Sequence, residues 1–213
     1  MEKIVARGAA RPSDKVSKGA SKREQIIEAA MATLIDVGFS RASTRTIAAA
    51  GGFNQALIHY HFGSLNALWL AVIDHTSAVR MERYRAAVDA ASSLEEMVEI
   101  AVTIYREDLE SGHITVISEL IAGSLSEPDL GPGIVDRMQP WIEFVEDVIT
   151  KLLRGTTFEP MVPTREAASA LVAFYMGVNL LTRLEPDRSS VDPLFETARR
   201  FAPLISPMLA KAE

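Results

Sequence analysis

"STRTIAAAGGFNQALIHYHFGSLNAL", residues Ser43 to Leu68, consists of two short apolar runs separated by a glycine pair. Ser43 or Thr44 can cap a short helix that holds Ile47 and Ala48 and breaks at Gly51-Gly52. Asn54 can cap the next helix, and Ser64 stands where a fourth can begin. Two short helices joined by a tight glycine turn behind a longer helix form the pattern of a helix-turn-helix. The second run contains His59 and His61. On a helix they lie about 200° apart and cannot close on one ion, so no metal site is expected.

Upstream, "SKRE" from Ser21 has capping-box spacing and precedes Ile26, Ile27, Ala30, Leu34 and Val37 at helical intervals. This predicts a first helix from Ser21 to Val37 that stops at Gly38, with Phe39 packed behind the stop. Residues 1–20, rich in Gly, Ala, Ser and Lys/Arg, read as a flexible basic arm. Charge divides along the chain. Residues 1–68 hold nine Lys/Arg against five Asp/Glu, a balance of +4, which leaves −10 for the rest of a chain whose total is −6. A basic small module on an acidic larger one suits a protein that meets a polyanion with one end.

Downstream the sequence is helical throughout, with no credible strand and no internal repeat. A fourth helix is expected from Ser64 toward Ala90, a fifth from the capping box "SLEE" at Ser93 to Gly112, and a sixth to about Leu125. Residues 126–133, "SEPDLGPG", read as a loop before a seventh helix with Trp141 and Phe144. Thr164 is expected to cap "REAASALVAFYMGVNLLTRL", apolar on nearly every side, and Asp192-Pro193 to open a last helix. A helix apolar all round must be covered, by the bundle or by a second subunit.

Ser43 to Leu68 resembles the DNA-binding domain of tetracycline-repressor-like (TetR) regulators, and the similarity extends from Ser21 to about Val72. It rests on the capped first helix, Gly38-Phe39, Ile47-Ala48, the Gly52 turn, the His-Phe end of the second short helix, and Leu68. The resemblance implies an all-α fold. A three-helix DNA-binding domain over residues 21–66 would precede an effector-binding and dimerisation domain over 67–213. It also implies a ligand-responsive repressor that binds double-stranded palindromic operator DNA as a homodimer, is released by a small-molecule effector and needs no cofactor.

A helical wheel turns Ile58 and Phe62 inward and Ala56, His59 and Tyr60 outward, with Gln55 at the margin. The expected DNA-contacting residues are Lys22, Ser43, Arg45, Asn54, Gln55, Ala56, Leu57, His59 and Tyr60. Gln55 suits adenine edges, Ala56 and Leu57 a thymine methyl, Arg45 guanine, and His59 and Tyr60 phosphates. Lys22 and Ser43 sit where helix ends and the arm would meet the backbone. Leu65 stands where the family usually has a phosphate-gripping lysine, and Ala56 replaces a usual glycine or proline. Effector contacts are expected from Tyr105, Trp141, Phe144, Tyr175 and Asn179. His113 reads as a helix start.

Other classes are narrower. With 213 residues, 48% of them hydrophobic, and no cysteine, the chain can bury a core but can form neither disulfides nor thiolate metal sites. No P-loop, G-x-S-x-G or H-E-x-x-H occurs, so an enzyme is not expected. A helical interaction protein without DNA binding is the alternative. The N-terminus lacks an apolar leader and no run suits a membrane span, which points to the cytoplasm.

Overall fold

This computed structural model of the chain describes residues 12–184 and 191–209, and only the backbone of residues 12–21, 183 and 184. Among the described residues there are nine α helices and no strand. No single described helix is long and apolar enough to cross a membrane. By its internal contacts the chain divides into Met1–Val72 and Ile73–Glu213.

In the first unit, α1 (Pro12–Val37) buries Ile26, Ile27, Ala30 and Leu34, each at most 2% exposed, along one stripe. It begins nine residues earlier than the capping box suggests. Pro12 takes the first helical position, where a missing N–H costs nothing, and Ser21 lies inside the helix. The expected arm is therefore helical over residues 12–20, and its first eleven residues lie outside the described ones. A 3-10 turn, Phe39–Arg41, follows. Phe39 packs at a tilt on fully buried Trp69, with ring centroids 6.1 Å apart.

Of the next two helices, the first has the cap its sequence offers, whereas Asn54 stands one residue before Gln55, the cap position of the second. Ser43 caps α2 (Thr44–Gly51): its hydroxyl accepts from Thr46 N at 3.2 Å while the Thr46 hydroxyl accepts from Ser43 N at 2.7 Å. Gly51 and Gly52 have different tasks. A Cβ on Gly51 would stand 2.1 Å from the Phe53 ring and 2.8 Å from Ala29 Cβ, so glycine lets α2 close onto α1. Gly52 has φ +64°, the left-handed turn that ends α2. Asn54 then accepts from Ala56 N at 2.9 Å and starts α3 (Ala56–Phe62). Ser64 accepts from Ala67 N at 3.0 Å at the start of α4 (Leu65–Ala90), whose Leu68 and Val72 are fully buried.

The second unit holds the rest of α4, α5 (Leu94–Glu110), α6 (His113–Ser124), α7 (Gly131–Leu153), α8 (Thr164–Leu184), α9 (Asp192–Ile205) and a 3-10 turn, Ser206–Leu209. Ser93 caps α5 as its spacing predicts, accepting from Glu96 N at 3.1 Å. The α6–α7 loop is shorter than expected. Pro132 sits in the first turn of α7, so Gly131-Pro132-Gly133 is helix rather than loop. Likewise Thr164 is the first helical residue of α8, not its cap.

α7 lies against α8 and α5 against α9, around a core in which Tyr105, Ile114 and Val191 are buried with Tyr175 and Phe195 packed on them. α8 is not covered all round. Ala168, Asn179 and Thr182 are buried, whereas Leu171, Phe174, Leu180 and Leu181 are between 50% and 61% exposed.

Candidate nucleic-acid interface and the cavity of the second unit

α3 has only seven residues, so its orientation depends on what holds it. Ile58 is fully buried and Phe62 half-buried, as the helical wheel predicts. The Arg23 guanidinium lies over the Phe62 ring, 4.9 Å from its centre, and the Lys22 ammonium stands 5.8 Å from the centre of the Phe53 ring. Gln25 Nε2 donates to Gly51 O at 3.0 Å, and Gln25 Oε1 accepts from Lys22 Nζ at 2.8 Å. One polar edge of α1 thus grips both ends of the turn. Lys22 sits well inside α1, not at the junction with an arm, and the sequence reading missed the part played by Arg23 and Gln25.

The opposite side of α3 is open. Asn54, Gln55, Ala56, His59 and Tyr60 are all exposed, Tyr60 to 82%, while Leu57 is half-buried. None of these side chains has a fixed charge. They offer an amide, a methyl, an imidazole and a phenol. His59 Nδ1 lies 3.3 Å from Gly63 O, a contact that fixes the ring across the end of the helix. Arg45 and Ser43, at the start of α2, are exposed too, but the Ser43 hydroxyl is committed to its cap. A protruding helix face that is uncharged yet rich in donors and acceptors has the properties that base-edge readout requires, and the nearby Arg45 supplies a forked donor.

The second unit holds a partly open cavity of about 380 Å³ between α4, α5, α6, α7, α8 and α9, with the exposed Leu171 and Phe174 among its lining residues. Its wall is almost wholly apolar and aromatic. Tyr105, Trp141, Phe144 and Tyr175 stand on it together, and so does His113, the first residue of α6. Asn179 is not on the wall. It is 1% exposed, and its amide is turned back onto Tyr175 O at 2.7 Å within α8. The position i+4 from Tyr175 directs it along its own helix rather than into the cavity.

Asp108 is the polar centre that the sequence reading did not find. It is 3% exposed and lies on the wall. Arg80 Nε donates to its Oδ1 at 2.8 Å, the Tyr84 hydroxyl donates to the same oxygen, and the Tyr175 hydroxyl donates to Oδ2 at 3.0 Å. Arg80 also donates to Thr76 O at 3.0 Å and to Ser111 Oγ at 2.6 Å. A buried carboxylate must be paired and hydrogen-bonded to be tolerated, and this one is. Burial, reinforced by Asp108, holds both phenols well above the ordinary tyrosine range. Burial pushes the His113 imidazole down to about 4, with the Arg80 charge adding to the effect, so it is neutral. Its Nδ1 has no hydrogen-bond partner.

A small helix-turn-helix unit followed by a helical unit built around a cavity is the build of a ligand-responsive, DNA-binding transcriptional regulator. Residues 26–72 match the family of bacterial regulatory proteins named tetR. It is 22% identical over 156 residues to the HTH-type transcriptional regulator UidR of Escherichia coli K12, a match that covers 73% of this chain and 79% of that protein. Among solved structures it is similar to the fatty acid degradation regulator FadR from Bacillus halodurans, with a TM-score of 0.71 at 18% identity, covering 89% of this chain and 99% of that one. The transcriptional regulator FadR from Bacillus subtilis in complex with stearoyl-CoA gives a TM-score of 0.67 at 13% identity, with the same coverage. At these identities the likeness to solved structures speaks for the fold.

Proposed function

We propose that this chain is a repressor that binds a palindromic operator as a homodimer and releases it when a small molecule occupies the cavity of the second unit. The observation that carries the reading is the uncharged, exposed face of α3 on a chain of net charge −6. Arg45 and Gln55 read base edges, Ala56 and Leu57 meet a thymine methyl, and Asn54, His59 and Tyr60 position the helix on the backbone. Ser43 and Lys22 act more remotely, by capping α2 and bracing the turn.

Dimerisation is supported by the outward apolar residues of the last two helices. Phe174 and Leu181 on α8 and Phe201 and Leu204 on α9 are each more than half exposed, a patch that water tolerates poorly. A two-fold dimer would set two copies of α3 about 34 to 36 Å apart, or a multiple of that, in successive major grooves. Tyr105, Trp141, Phe144 and Tyr175 contact the effector. Its occupancy is felt by α4, because Arg80 and Tyr84 both hang on Asp108 at the cavity wall. The protein works in the cytoplasm, with no membrane partner.

Selection of bound fragments from genomic DNA tests the reading. Enrichment of one inverted repeat, protected as two half-sites, is the expected result. Binding that is equal on all fragments, or a monomer in sedimentation at micromolar concentration, would sink it.

A further inference from the structure

The hydrogen bonds of the cavity wall narrow the ligand's chemistry, on the premise that this cavity is the effector site. We infer that it takes an uncharged, mostly apolar molecule whose polar group is a hydrogen-bond donor, such as a phenol, an alcohol or an amide N–H, and that it turns away anions and cations.

Asp108 is the only residue with a fixed charge among the described residues of the wall. Arg80 neutralises it from behind. All three guanidinium nitrogens are committed, to Asp108, Thr76 O and Ser111 Oγ, and Arg80 is not part of the wall. Toward the cavity the pair is therefore neutral. A carboxylate or phosphate on the ligand would meet no spare cation, and an ammonium would compete with a guanidinium already in place. Either would be a buried charge without a partner, which is the expensive case.

The placement of the protons fixes the sense of the polar contact. The Tyr84 and Tyr175 hydroxyls point their protons at Asp108, the Tyr105 hydroxyl at Thr182 Oγ1, and the Trp141 indole N–H at Ser77 Oγ. These donors are spent within the protein. What remains are acceptors: the lone pairs of the phenols and, with its proton on Nε2, the partnerless Nδ1 of His113, a residue 6% exposed. A ligand that donates finds a partner there, whereas one that only accepts leaves its own oxygen unsatisfied.

Four probes with one bicyclic body separate these cases: 2-naphthol, 2-methoxynaphthalene, 2-naphthoate and 2-naphthylmethylammonium. Their affinities for the full chain are measured at pH 7 by calorimetry. The naphthol should bind about tenfold or more tighter than either ion and about threefold to tenfold tighter than the ether. His113→Phe should shrink the advantage over the ether. If the naphthoate or the ammonium binds as well as the naphthol, or the ether binds as well, the inference is overturned while the cavity can still be the effector site. The filling variants Ile149→Trp and Val145→Phe, checked for native helicity, tell the two failures apart. Naphthol binding that survives both, or no binding by any probe, overturns the cavity reading and this inference together.

Discussion

The two units use polar side chains in opposite ways. In the first, the core is mostly aliphatic and aromatic, and the polar groups of α3 stand in water, where they can meet a new partner. In the second, Asp108, Tyr84 and His113 are buried and Tyr175 is half-buried beside a cavity, and every strong interaction they make is internal. A surface that reads a polyanion can leave its groups hydrated until contact. A cavity that accepts an apolar molecule must settle its polar groups beforehand, because nothing else there can solvate them.

If that contrast is right, removing a single polar group should cost folding stability in the second unit and DNA affinity in the first. The largest effect is expected from Asp108→Leu, which strands the Arg80 charge and should destabilise the second unit by about 3–5 kcal/mol. Urea unfolding followed by Trp141 and Trp69 fluorescence measures it, and a loss below about 1 kcal/mol would mean that the pair is not a structural linchpin.

Next comes acid. His113 falls from its ordinary 6.5 to about 4 in the folded chain. Above pH 6.5 both states hold it neutral and its contribution is complete. Between 6.5 and 4 the unfolded chain takes the proton first, so stability falls with pH by up to about 1.4 kcal/mol per unit. His113→Gln should flatten this part of the stability profile relative to the parent, and an unchanged slope would contradict the neutral imidazole.

In the first unit, Gly51→Ala forces a methyl against the Phe53 ring and Ala29 and should cost about 1–3 kcal/mol of stability. A neutral result in thermal melts would show that Phe53 has room to move. Arg45→Ala and Gln55→Ala should leave stability unchanged but weaken operator binding by about 1–3 kcal/mol per half-site and relax preference at one or two base pairs. Tyr60→Phe should have the smallest effect, weakening operator and scrambled duplex alike, since only a backbone-directed hydroxyl is lost. Fluorescence anisotropy on both duplexes decides; equal losses on both from the Arg45 and Gln55 variants would show that neither residue reads bases.

Local chemistry explains how much could be read from the sequence. Ser43, Gly52, Asn54 and Ser64 punctuate α2 and α3 within a few residues, so those helices could be placed without tertiary information. The start of α1 could not, because a plausible capping box at Ser21 competes with a proline start at Pro12 and only the assembled chain shows which prevails. Asp108 was hidden for another reason. A charge on an amphipathic helix reads as solvated face, yet Val102, Tyr105 and Asp108 follow one another at steps of three, and all are buried. A carboxylate on the apolar stripe was the available signal. Thr76, Arg80 and Tyr84, at steps of four on α4, repeat it. Asn179 looked like a cavity residue by type, but which way a side chain turns depends on packing that spacing does not encode.

The displaced titrations around the cavity bear on the conditions under which a signal is received. His113 gains its proton only near pH 4, and the phenols of Tyr84 and Tyr175 keep theirs beyond the ordinary range for tyrosine. These three groups keep one protonation pattern while the surrounding medium drifts by a unit or two around neutrality. A molecule arriving under mild acid stress and one arriving in its absence would meet the same arrangement of hydrogen bonds. At these three groups the proposed effector site is thus insulated from proton concentration.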